Sequence, residues 1–204
     1  MRPLRVIYTL FPLLLLACAP TAPQRGVPQI PYDSLRTGDI VFRRGCSYTS
    51  YIVLAGQENH NYSHIGIVQH TDSGWCVIHS VNDEPDHPAD FDRVKIEKIE
   101  RFFAPARATN GEIMHTWLHE ERIARMSQQA LRLVKDSVRF DASFDTADNN
   151  RLYCTELIYF LYKNSGVDIT EGRRTPVGIL CFPDEIIFPC DIYENKKLKS
   201  YYKF

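Results

Sequence analysis

Two apolar runs, Ile65–His70 and Trp75–Val81, are separated by Thr71-Asp72-Ser73-Gly74. Turn-forming residues between two stretches rich in Ile, Val and Trp specify an antiparallel hairpin. A hairpin constrains its surroundings strongly, because a one-residue slip turns each side chain to the other face. A two-residue loop pairs Thr71 with Gly74, and a four-residue loop pairs His70 with Trp75. Both give one register: His64 opposite Val81, and Gly66 opposite His79. Opposed residues share a face, so His64 and His79 are diagonal neighbours with Cβ atoms about 7 Å apart, within bridging reach of two imidazoles. Gly66 leaves room opposite His79. A loop of odd length would separate the two histidines.

Other elements follow from pattern. Leu35-Arg36-Thr37-Gly38-Asp39 is a turn leading into a β-type run, Ile40-Val41-Phe42. Val94–Ile99 alternates apolar and charged residues, the period of a strand. From Glu120 to Val138, apolar residues recur near a 3.6 period at Ile123, Met126, Ala130, Leu133, Val134 and Val138. Cys154–Ser165 reads as a second helix, with Leu157, Ile158 and Leu161 on one face and Gly166 as its stop. Strands first and helices after them predict an α+β domain with an antiparallel sheet packed against helices. The Lys-rich stretch near the C-terminus reads as solvated surface.

With 204 residues, 44% hydrophobic, 24% charged and a formal charge of −1, the composition is that of a globular domain. It excludes a disordered tail, a collagen-like fibre, a polytopic membrane protein and a basic nucleic-acid binder. The first residues are a separate matter. Arg2 and Arg5 precede an apolar run from Val6 to Leu16, too short for a bilayer span of about 20 residues. Leu15-Leu16-Ala17-Cys18 resembles a bacterial lipobox, so residues 1–17 are expected to be a lipoprotein signal peptide and Cys18 the lipidated residue. Residues 18–31, with prolines at 20, 23, 28 and 31, read as a tether. One folded domain is expected over residues 32–204.

Cys154 is the candidate nucleophile. A helix N-terminus favours an anion, so a thiolate there is stabilised. Its helical face is also apolar, and spacing alone serves a core cysteine equally well. A thiol needs a base, and the base needs an orienting partner. If the helix N-terminus packs on the histidine face of the sheet, His64 takes the thiol proton and His79 fixes the His64 tautomer. An imidazolium beside the sulfur would then hold a standing thiolate across neutral pH.

The alternatives are weaker. His115 and His119 have helical metal-pair spacing, but the Glu of HExxH is missing and no third ligand follows. His60 and His64 share that spacing within a stretch that looks like a loop. No CxxC pair and no phosphate-binding glycine loop occur. No metal or cofactor is expected. With Cys18 and Cys154 set aside, Cys46, Cys76, Cys181 and Cys190 remain, an even number that can pair in three ways. The most local pairing is Cys181–Cys190.

Gly38-Asp39-Ile40-Val41-Phe42, Tyr62-Ser63-His64-Ile65-Gly66-Ile67-Val68, Val77-Ile78-His79 and Leu152-Tyr153-Cys154-Thr155-Glu156-Leu157-Ile158, in this order, resemble the YiiX/YebB-like permuted papain-fold family. That family belongs to the NlpC-type cysteine peptidase superfamily, with lecithin retinol acyltransferase as a cousin. The resemblance implies a circularly permuted papain-like core, Cys154 as nucleophile and His64 as base. His79 resembles the acyltransferase and NlpC pattern, whereas YiiX-like members often carry Glu in the third role. Tyr62 falls where relatives keep an aromatic, implying an oxyanion or substrate-binding role. Asp39 and Glu156 match positions of structural hydrogen bonding. The expected activity is hydrolysis of an amide, peptide or lipid-linked, through a cysteine acyl-enzyme at the bacterial envelope, with the membrane reached through lipidated Cys18. Lipid acyl transfer and a silent papain-like binding module are the alternatives.

Overall fold

The computed structural model describes residues 26–57, 61–178 and 183–204. The expectations for the signal peptide, Cys18, His60 and Cys181 fall outside these residues. The hairpin forms as its turn chemistry requires. Strand β2 (His64–Thr71) and strand β3 (Gly74–Val81) pair from Ile67 opposite Ile78 to Thr71 opposite Gly74. Asp72 and Ser73 make the two-residue loop, and Gly74 adopts a φ of 103° that other residues avoid.

The hairpin is the middle of a larger sheet. Strand β1 (Ile40–Gly45) pairs antiparallel with β2, and β4 (Arg93–Lys98) with β3. Strands β5 (Ala108–His115) and β8 (Lys199–Lys203) complete the order β4-β3-β2-β1-β5-β8. The basic tail, expected to be plain surface, therefore supplies an edge strand. A short pair, β6 (Thr175–Pro176) and β7 (Glu185–Ile186), stands apart from the main sheet. The fold class is α+β as expected, although strands also follow helices along the chain.

Alternation along the strands sorts side chains onto two faces. One face, with Ile40, Phe42, Ile65, Ile67 and Ile78, forms the main core with helix α4 (Cys154–Asn164). Leu157, Ile158 and Leu161 of α4 are fully buried there, worth about 1.5–3 kcal/mol each on the usual transfer scale. The other face, with Val41, Val68 and Val77, packs on helix α2 (Ile99–Phe102) and Phe103. Helix α3 (Glu120–Lys135) buries Met126 and Ala130 in the main core. It ends three residues short of Val138 because Ser137 takes a φ of 50°, and the Val138 N–H turns back to the Leu133 carbonyl. Two further helices, α1 (Tyr48–Ala55) and α5 (Pro189–Tyr193), lack a helical apolar stripe and are not signalled by periodicity.

Candidate active site

His64 and His79 stand on the same face of the hairpin, as the register requires. His64 Nε2 lies 2.8 Å from His79 Nδ1, with the rings nearly perpendicular. The glycine between them has a steric reason. A Cβ on Gly66 would come within 2.4 Å of Val77 Cγ1, 3.1 Å of the Ile78 carbonyl and 3.3 Å of the His79 Cβ. The rings rest on Phe102, with centroids at 5.7 Å from His64 and 5.3 Å from His79.

The pair sits in a buried charged cluster that sequence reading missed. His79 Nε2 faces Glu97 Oε1 at 3.2 Å, without good hydrogen-bond alignment. The other oxygen of Glu97 takes Arg107 at 2.8 Å and Arg101 at 3.2 Å. Arg43 lies over the Phe102 ring, donates to the Phe102 carbonyl at 2.8 Å and pairs with Glu84. Lys95 donates to the Glu84 carbonyl and pairs with Asp86. Burial, followed by the positive charges of Arg43 and its neighbours, holds both imidazoles well below the ordinary histidine range. The only signal for Glu97 is its place on the alternating Val94–Ile99 run. It sits opposite Val77, hence diagonal to His79, and that is visible only after β3–β4 pairing is known.

The position of Glu97 favours one pair of tautomers. A proton on His79 Nε2, the nitrogen that faces Glu97, would leave His79 Nδ1 to accept from His64 Nε2–H. The lone pair of His64 is then on Nδ1.

Cys154 is the first residue of α4. Glu156 sets the start of the helix by accepting the Tyr153 N–H at 3.2 Å. Thr155 Oγ1 donates to the Ile187 carbonyl at 2.5 Å, and the Ile187 N–H donates to the Tyr153 hydroxyl at 3.2 Å. Upstream, Ser80 Oγ donates to the Leu152 carbonyl at 2.5 Å, tying the approach to α4 onto β3.

The sequence expectation concerned the N-terminus of α4, and the body of the helix packs elsewhere. The body of α4 covers the opposite face, where Ile65, Ile67 and Ile78 point. The reason is hydrophobic: Leu157, Ile158 and Leu161 need those isoleucines, while the histidine face is occupied by charge and Phe102. What meets the sheet is the end of the helix. His64, Ile65 and Gly66 lie beyond the β2–β3 ladder, and the Ile65 N–H is directed at the Cys154 sulfur together with the N–H groups of Thr155 and Cys154 itself. The thiol and the His64 ring therefore flank adjacent residues at one strand end. Among the described residues no hydrogen bond joins them.

Burial outweighs these donors and pushes the Cys154 thiol up to about 11. Burial thus favours the neutral forms of the thiol and of both imidazoles at rest. Glu156, buried beside Asp141, Asp148 and Asp145, is raised to about 8, so its capping carboxyl carries a proton near neutrality.

Tyr62 is a buried strut. Its hydroxyl donates to Glu112 at 2.5 Å, its ring lies 5.6 Å from Phe42, and it lines no part of the cavity at Cys154. Asp39 accepts from the Arg36 N–H and the Tyr201 hydroxyl and holds His115 at 2.9 Å. His119 is the N-cap residue of α3. Cys46, Cys76 and Cys190 are free thiols. Beside Cys154 opens an apolar cavity of about 370 Å³, lined by Phe144, Ile186, Ile187, Phe188 and residues of α1.

A cysteine at a helix start, set at the end of a strand that carries one of two hydrogen-bonded histidines, defines a papain-like thiol enzyme in permuted order. Residues 34–184 match the family described as permuted papain-like amidase enzyme, YaeF/YiiX, C92 family. The chain belongs to that family of cysteine amidases. Its fold is similar to the crystal structure of metalloprotein YiiX from Escherichia coli O157:H7, with a TM-score of 0.67 and 19% identity over 83% of this chain and 97% of that one. No curated relative matches the chain. Among the described residues, no group of three His, Cys, Asp or Glu side chains is arranged to hold a metal ion.

Proposed function

We propose that the protein hydrolyses the amide bond of a fatty-acyl amide through a thioester on Cys154, at the bacterial envelope to which Cys18 anchors it. The observation that carries this reading is the apolar cavity opening on Cys154. A site for a peptide would offer polar groups to its amides, whereas these walls offer an acyl chain apolar contact.

In the first half-reaction the Cys154 proton passes to His64 Nδ1 as sulfur attacks the carbonyl carbon. In this reading the Cys154 and Ile65 N–H groups, directed at the sulfur, donate to the oxyanion that develops beside it. The C–N bond breaks, and the amine leaves with the proton from His64. Water then gives a proton to His64 as its oxygen adds to the thioester carbonyl, the C–S bond breaks, and the Cys154 sulfur takes the proton back from His64 as the fatty acid leaves. His79 keeps the His64 lone pair on Nδ1, and Glu97 keeps the proton of His79 on Nε2. Tyr62, through Glu112, fixes the backbone that leads into His64. The contact between thiol and imidazole closes during substrate binding, as catalytic hydrogen bonds commonly tighten on reaching the Michaelis complex.

The test is to mix the protein with a long-chain N-acyl amide, quench in acid and weigh the Cys154 peptide. The expected adduct has the mass of the acyl group as a thioester, disappears in Cys154→Ala and fails to accumulate in His64→Ala. An adduct on another residue, or turnover by Cys154→Ala, would overturn the reading.

A further inference from the structure

Helix α1 is apolar nearly all round and still lies on the surface. Tyr48, Tyr51 and Ile52 are 80%, 60% and 51% exposed, and Ser50 is its only buried residue. No charged residue occurs from Cys46 to Gln57. Such a helix normally belongs inside a core or a membrane. Ser47 caps its start, with Oγ accepting the Ser50 N–H at 3.2 Å, so the helix is a formed element. The same helix borders the site: Ile52, at the edge of the exposed surface, together with Val53, Ala55 and the following Gly56, lines the cavity that holds Cys154. One short helix is thus both an exposed apolar surface and the rim of the proposed acyl site.

We infer that α1 is a bilayer-docking element, which sets Tyr48, Tyr51 and Ile52 into the lipid interface so that an acyl chain passes from the membrane into the Cys154 cavity. The inference rests on the reading of that cavity as an acyl site. Three observations favour a bilayer over a protein partner. A protein seated on α1 would cover the rim through which substrate enters, whereas a bilayer is itself the source of acyl chains. Tyrosine suits the boundary between headgroups and hydrocarbon, with an apolar ring and a polar tip. The chain from Cys18 to Ile30, where the described core begins to be buried, spans at most about 43 Å, so a lipid at Cys18 keeps the domain within reach of the surface.

The experiment uses the full chain with vesicles of phosphatidylcholine and phosphatidylglycerol. Ile52→Trp is compared with Leu131→Trp, an exposed position on α3, in vesicles with and without bromine on the acyl chains. The expected result is strong quenching of the added emission at position 52 and none at 131, above the background of Trp75 and Trp117. Equal quenching at the two positions overturns the inference, as does a dimer in solution that protects α1 from proteolysis. A second measurement uses Tyr48→Ser with Tyr51→Ser, residues that do not line the cavity. Hydrolysis of a vesicle-embedded long-chain amide should fall about tenfold, while a water-soluble short-chain amide is cleaved as before. Equal loss on both substrates also overturns it. If the native protein cleaves neither amide, the amidase reading of Cys154 fails, and the quenching result still decides the docking of α1.

Discussion

The reactivity of Cys154 toward an alkylating agent separates a thiol activated at rest from one activated only during catalysis. Burial raises the thiol from 9.0 to about 11 despite the N–H groups of Thr155, Ile65 and Cys154. A rise of two units leaves about 100-fold less thiolate at pH 8 than the unshifted thiol would have, equivalent to about 2.7 kcal/mol. His64 supplies no compensating charge, because burial and the cations around Arg43 keep it neutral. The rate of iodoacetamide addition to Cys154, read by mass spectrometry of its peptide, should climb about tenfold per pH unit from pH 6 to 9.5 with no plateau. His64→Ala should leave that slope unchanged, since a neutral imidazole contributes no thiolate. A plateau at or below pH 7 that vanishes in His64→Ala would refute the reasoning and establish a standing thiolate–imidazolium pair. The stability contribution has a definite sign: with a folded value above the unfolded one, it is complete below about pH 9 and lost as pH rises toward about 11.

Four further outcomes follow from particular contacts. Glu156→Gln should keep the cap on Tyr153 and remove the need to ionise beside Asp141, Asp145 and Asp148; the variant should melt higher than the native protein above pH 8 and equally at pH 4, because the native advantage of a raised carboxyl is lost between about 4.5 and about 8. The two depressed histidines act in the opposite direction, so thermal stability should fall as pH drops below about 6.5, with an initial slope of up to about 1.4 kcal/mol per unit for each histidine; His79→Asn should reduce that slope. Gly66→Ala pushes a methyl against Val77, the Ile78 carbonyl and His79 and should cost about 1–3 kcal/mol in chemical denaturation. Glu97→Gln releases the His79 tautomer and should lower kcat by about 10²-fold with KM little changed, while Glu97→Asp recovers part of the loss; an unchanged kcat would remove Glu97 from the proton path.

The hairpin was legible because its information is local. Thr71-Asp72-Ser73-Gly74 dictates the turn, the turn dictates the register, and a period of two then puts His64 and His79 on one face. Cys154 at a helix start was legible for the same reason, from the apolar spacing of Leu157, Ile158 and Leu161 and the stop at Gly166. Which face of the sheet that helix covers was not. Both faces of β2 are buried, one by isoleucines and one by a charged cluster around Phe102, so apolar patterning gave α4 no unique side, and the outcome was decided by side chains far apart in the chain. Glu97 joined His79 only through the β3–β4 pairing. The ionisation state of the site was likewise a tertiary matter: a helix N-terminus argues for a thiolate, burial of the sulfur opposes it, and burial together with Arg43, Lys95 and Arg107 disfavours an imidazolium beside it. The exposed helix α1 was invisible to periodicity because an element that is apolar all round has no stripe to read; its meaning depends on the cavity behind it, which exists only once Ile52 and Cys154 stand at one opening.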